Sequence, residues 1–347
     1  MPTGTALLLA GGVGLGAYQL GAYAALEASG TIELQAVAGS SIGAVNGAIL
    51  VGNPPEQRLA KLRAFWKRVE REAAPEEWTD PLALARSGPL RHLRNWSNIL
   101  TTRTTGTPGL FAPRLPGMGR TTVASLYEAS PLLASLAEFV DFDRLNDGHI
   151  RFTIATTDVE SGETILFDTA LGDHITPDHI AAASALLPAF EPVQVDGRWL
   201  SDGGFSANVP LEPLLCSERP CPAPPLCLVL DLFAPDGPLP NGLEAAVERA
   251  TDLKYATQTT LRLAGLRRER ALEARLGNSE ATTLLHMSYR GPAHEAGQEK
   301  TYDFSPATLR DRQQAGAADT EAALALLATL PQAPEPGLHI HRIRRGS

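Results

Sequence analysis

Cysteine is scarce in this 347-residue chain, with only Cys216, Cys221 and Cys227, all inside the stretch CSERPCPAPPLC. None has a partner at zinc-ribbon spacing and no His or Asp crowds them, so a metal site is not expected, and the odd count implies reduced thiols. Basic residues are in the minority, 30 against 39 acids for a formal net charge of -9, which excludes the concentrated basic surface a nucleic-acid partner requires. No apolar run approaches the roughly 18 residues of a membrane span. The opening MPTGTALLLAGG has no basic segment and too short an apolar stretch for a signal peptide, so it reads as a first β-strand. These absences predict a cytoplasmic protein, with room for peripheral contact at a membrane. Aromatic residues make up only 6%, so the core must rest on Ala, Leu and Val.

What is present is 44% hydrophobic residues and enough length to bury one large core without disulfides or metals. Residues 5 to 10 are apolar and end in Gly11 and Gly12; an Ala-rich helical pattern then runs to Ser29 and stops at Gly30. IELQAVAG forms a second strand, and SSIGAVNGAILVGN has the small and apolar residues of a buried helix. Strand, helix, strand, helix predicts an α/β fold on a mostly parallel sheet whose carboxyl edge gathers both Gly-rich turns. A stretch at about 75–122 breaks the periodicity and reads as an insertion or cap, with Trp78, Trp96 and Phe111 as an apolar anchor or lipid-facing surface. HIRFTIATTDVESGETILF predicts a hairpin turning at Ser161 and Gly162, and Thr176-Pro177 opens a helix that Pro188 ends. A short strand pair then delivers the chain to Asp202. Helices are expected over about 241–276 and 306–330, with the strand LCLVLDLF before the first, the strand TTLLHMSYR between them and a frayed basic tail, HIHRIRRGS. Five arginines against two glutamates between Arg262 and Arg275 read as a solvated face, or as a contact to an anionic membrane.

Three motifs carry chemistry. Gly39-Ser40-Ser41-Ile42-Gly43 is a GxSxG between strand and helix, the context of a nucleophile elbow, which makes Ser41 the candidate nucleophile at a helix amino end. Gly11, Gly12, Val13 and Gly14 open the first helix with free backbone N–H groups suited to an oxyanion hole. The same loop satisfies the dinucleotide pattern GxGxxA through Gly12, Gly14 and Ala17, but the acid that pattern needs, Glu33, would begin the second strand rather than end it. Asp202-Gly203-Gly204, alone no more than a turn signal, becomes specific in company with the other two.

In this order the motifs resemble the patatin-like phospholipase family, together with AYQLGAY, GSSIGAVNGAI, TTDVESGE, SALLPAFEPVQVDGRWLSDGG and NVPLEPLL. Residues 301–317 resemble the carboxyl-terminal extension of a bacterial branch. The resemblance implies a three-layer α/β/α sandwich, a single hydrolase domain over 1–347 with an extension at about 241–347, and a Ser41–Asp202 dyad that needs no histidine and no cofactor. It implies hydrolysis of a lipid ester, with phospholipid or another acyl-lipid as substrate. The chain departs from the pattern at Val13, where the family has a third glycine, and at Leu15, where it has a basic residue. Two other readings stay open: a Ser-Asp-His triad using Asp231 and His286, and a non-catalytic descendant that binds lipid or protein.

Overall fold

The computed structural model describes residues 4–71, 88–114, 125–216, 218, 221–277, 280–292 and 300–343. The chain opens with β1 (Thr5–Leu9), α1 (Ala17–Ser29), β2 (Leu34–Gly39), α2 (Ile42–Val51) and α3 (Pro55–Arg68). The cap region contributes α4 (Gly88–Thr105), the short β3 (Ala112–Pro113) and β4 (Tyr127–Glu128), and α5 (Ser130–Phe139). β5 (Arg151–Asp158), β6 (Thr164–Asp168), α6 (Pro177–Ala183), β7 (Val193–Val195) and β8 (Arg198–Asp202) follow. β9 (Leu226–Asp231), α7 (Leu243–Arg275), β10 (Ala281–Ser288), α8 (Pro306–Leu327) and β11 (Gly337–Arg342) complete it.

Nine strands form one sheet in the order β11-β10-β9-β1-β2-β5-β8-β7, with β6 paired to β5. Every pair from β11 to β5 is parallel, and the antiparallel pairs involve β6, β7 and β8. The sheet is therefore mostly parallel, as the strand and helix order requires. β1 and β9, at its centre, are buried throughout, which explains their unbroken apolar character. α2 is apolar on every side and wholly buried. Its one strongly polar side chain, Asn46, is satisfied: Nδ2 donates to Gly16 O and Gln19 Oε1, and Oδ1 accepts from Trp66 Nε1. That network ties α1, α2 and α3 to the loop after β1, where Gln19 Nε2 also donates to Ala10 O at 2.9 Å.

Three expectations are corrected. The Thr-rich segment expected to be irregular ends a regular helix, α4; Thr101, Thr104 and Thr105 donate back to carbonyls one turn earlier, so residues with low propensity remain helical. The tail expected to fray is instead paired as far as Arg342 in β11 at the sheet edge, because buried Leu338 and half-buried Ile340 give its alternation an inner side that the basic residues disguise; residues 344–347 lie outside the described residues. α6 stops at Ala183, five residues before Pro188, freeing carbonyls that the site uses. Trp78 and residues 72–87 and 115–124 of the insertion lie outside the described residues. Phe111 is a buried anchor, ringed by Tyr127, Phe190, Tyr302 and Phe304, whereas Trp96 is exposed.

Candidate active site

Ser41 is the N-cap of α2, with φ 54° and ψ -129°, a conformation that a non-glycine residue holds at a cost of about 1–3 kcal/mol. The surroundings hold it there. Ser41 N donates to Ala183 O at 2.9 Å, and Ser40 N donates to Leu9 O at 3.2 Å. Gly43 allows α2 to start this close to the sheet: a Cβ there would fall 2.2 Å from Leu9 O. Ser40 has its hydroxyl buried without a partner on the far side of the turn, against Gly203. Ser41 is the serine that faces the cavities.

Asp202 ends β8 and is buried. Its backbone is fixed by Asp202 N donating to Ala185 O at 3.1 Å and by Thr157 Oγ1 donating to Asp202 O at 3.0 Å. Oδ1 accepts the Gly204 N–H at 2.7 Å, while Oδ2 has no partner. Burial pushes the carboxyl up to about 6, against the Ser41 hydroxyl and the Gly204 amide, which both pull it down. The Ser41 hydroxyl thus lies close enough to influence the carboxyl while making no hydrogen bond of ordinary geometry to it.

The first loop meets both groups. A Cβ on Gly11 would lie 2.8 Å from Ser41 Cβ and 2.7 Å from Asn208 Oδ1. Gly11 is not available as an oxyanion donor, because its N–H is committed to Asn208 O at 3.2 Å. The N–H groups of Gly12, Val13 and Gly14 have no such partner, since the first turn's own bond begins at Leu15 N donating to Gly12 O. Val13 adopts φ 51°, the left-handed region that the missing glycine would have entered freely.

Two cavities adjoin here, and both are lined by Ser41 and Val13. The larger, about 520 Å³, is walled by Ile42, Val45, Phe111, Leu132, Ala181 and Phe190, among others. The smaller, about 190 Å³, holds Asp202, Asn208, Thr251, Tyr255, Thr301 and Tyr302. Several of these were not legible as site residues in the sequence. Gln258 of α7 clamps the Asp-Gly-Gly turn by accepting from Asn208 N and donating to Gly204 O, both at 3.2 Å. The extension supplies Thr301 and Tyr302, held by the buried Arg312 of α8, which donates to Asp303 O and Lys300 O at 2.9 and 2.7 Å.

Asp231 and His286 do approach each other, with His286 Nε2 3.2 Å from Asp231 Oδ2. Neither lines a cavity with Ser41, and they lie on β9 and β10, two and three strands from β2, so the triad is not assembled. Among the described residues, no group of three or more His, Cys, Asp or Glu side chains could hold a metal ion, and no helix is long and apolar enough to cross a membrane.

The family model described as patatin-like phospholipase matches residues 7–215, and a second, described as patatin phospholipase, matches 257–334. No curated protein sequence matches the chain. Among solved structures, VipD from Legionella pneumophila is similar at 14% identity and TM-score 0.41, covering 94% of this chain and 67% of that one. The type III effector ExoU of Pseudomonas aeruginosa is similar at 13% identity and TM-score 0.39, covering 95% and 54%. Human GIVD cytosolic phospholipase A2, in complex with methyl gamma-linolenyl fluorophosphonate, is similar at 15% identity and TM-score 0.35, covering 94% and 60%. The chain thus spans 54 to 67% of the length of these three.

Proposed function

The chain belongs to the patatin-like phospholipase family, and on that premise we propose that it cleaves carboxylic esters of acyl lipids through an acyl-enzyme on Ser41, with Asp202 as the base. The observation that carries this reading is the meeting of two unlike cavities on one strained serine, an apolar one of about 520 Å³ and a smaller one containing the buried carboxyl. The acyl chain fills the first, and the alcohol portion leaves through the second. Asp202 takes the hydroxyl proton as Ser41 Oγ bonds to the carbonyl carbon, and the carbonyl oxygen gains negative charge against the N–H groups of Gly12, Val13 and Gly14. Collapse breaks the ester C–O bond, and the departing oxygen takes the proton back from Asp202. Water then gives a proton to Asp202, attacks the acyl carbon and releases the fatty acid, and Ser41 Oγ regains its proton.

The one Arg or Lys lining either cavity among the described residues, Arg114 in the larger, is paired with Glu191 at 2.8 Å, so the reading rests on the acyl ester rather than on a phosphate contact. Ala181→Phe narrows the apolar cavity. It is expected to lower the ratio of long-chain to short-chain p-nitrophenyl ester hydrolysis by about 10–200-fold, leaving the butyrate rate nearly unchanged. Equal loss at both chain lengths would remove the acyl chain from this cavity.

A further inference from the structure

We propose that the outward face of α7 is a docking surface for an anionic phospholipid bilayer. The helix runs 33 residues, about 50 Å at 1.5 Å per residue. Its exposed positions include large apolar side chains along the whole length, with Leu243, Leu261 and Leu272 exposed at 83%, 67% and 59%. Between and beside them stand Lys254, Arg267, Arg268 and Arg275, all exposed. No exposed position of the helix with a described side chain is acidic.

This segregation runs against the composition, since the chain carries 39 acids to 30 bases. The described acidic side chains of the helix are half-buried and paired. Glu248 and Asp252 hold Lys300 at 2.8 and 3.2 Å, Glu273 holds Arg270 at 2.6 Å, and Glu269 lies 3.9 Å from Arg262. A face solvated for its own sake has no need to sort charge in this way, and water gives no return for five exposed large apolar side chains, the three leucines together with Val247 and Leu253. A surface that is both apolar and anionic fits both features. A second copy fits poorly, because two such faces would bring cation to cation with no acid to offset them.

The placement agrees with the chemistry. Thr251 and Tyr255 of the same helix line the cavity containing Asp202. The Lys254 ammonium stands 5.6 Å over the ring of Phe205, the residue that follows Gly203-Gly204. A bilayer seated on α7 therefore lies beside the site that would receive its lipid. The choice of lipid as partner rests on the acyl-lipid reading, whereas the binding itself does not require catalysis, so it is measured on the full chain carrying Ser41→Ala.

The experiment is co-sedimentation with vesicles of phosphatidylcholine alone or with about one phosphatidylglycerol in three. Binding is expected to the anionic vesicles, weakening with salt. Arg267→Glu, Arg268→Glu and Arg275→Glu together should lower the partition coefficient by about 100-fold or more, at about one fivefold step or more per cation. Leu261→Ser with Leu272→Ser should lower it by about 10-fold or more. Because all five positions are exposed, thermal unfolding is expected to stay within a few degrees of the parent. Absence of binding to anionic vesicles, or unchanged binding in the arginine variant with its fold intact, would overturn the proposal. A dimer in sedimentation velocity that the two serine substitutions dissociate would assign the face to a second copy instead.

Discussion

Asp202→Asn is expected to lower ester hydrolysis by about 10⁴-fold, and Ser41→Ala at least as far. Asn keeps the shape of the side chain and can still accept the Gly204 N–H that Asp202 Oδ1 accepts at 2.7 Å, so the turn should survive. What it loses is the ability to take a proton from Ser41. The wild-type rate should accordingly rise with pH through about 6, where burial has placed the carboxyl, and level off above, since only the carboxylate is a base. The same shift has a thermodynamic sign. A carboxyl raised from 3.8 to about 6 on folding stabilises the native state fully only below about 3.8, and that contribution is lost as pH climbs through about 6. Asp202→Asn should therefore be more stable than wild type above pH 7, by about 3 kcal/mol at most, and no more stable near pH 3, as read by urea unfolding. A residue that gains stability while losing activity on neutralisation is behaving as a buried base.

The second large effect is expected at a position with no reactive side chain. Gly14→Ala should lower kcat by about 10²–10³-fold with little change in KM, the range seen when an oxyanion donor is misplaced. A Cβ at Gly14 would lie 2.7 Å from Thr301 O, 3.0 Å from an Arg312 guanidinium nitrogen and 3.3 Å from Asp303 O. The neighbours cannot retreat, because Arg312 is buried and ties the carbonyls of Lys300 and Asp303 to α8. The loop bearing the amides of Gly12, Val13 and Gly14 must move instead, away from where the proposed mechanism develops charge. Retained kcat in a folded Gly14→Ala variant would remove these amides from the mechanism. The carboxyl-terminal extension is thus the back wall of the first loop.

The proposed nucleophile and its proposed base were legible because their signals are local. A strand, a turn rich in small residues and a buried helix mark Ser41, and a hairpin ending in Asp-Gly-Gly marks Asp202. The loop was legible as a row of amides, yet its membership was not: Gly11 looks like its neighbours until Asn208 takes its N–H. Gln258, Tyr255, Thr301 and Tyr302 had no local signature, since a glutamine in a helix reads as surface until the turn it clamps is known. The apolar cavity draws on residues from Val13 to Val193, and only the closed fold brings them together. The end of α6 at Ala183 was hidden by Pro188, the stronger stop signal. Its carbonyl is needed by the Ser41 N–H, and that tertiary demand outweighs the sequence cue.

The most direct test of the central claim is peptide mass spectrometry after exposure of the folded chain to a long-chain alkyl fluorophosphonate, with and without lipid micelles. A single adduct on Ser41 is expected, forming slower by about 10³-fold or more in Asp202→Asn, because the probe needs the same proton transfer as the ester. An adduct on any other residue, or equal labelling rates in wild type and Asp202→Asn, would contradict the dyad. A folded chain that stays unlabelled in both conditions would contradict the enzyme and favour the lipid-binding descendant.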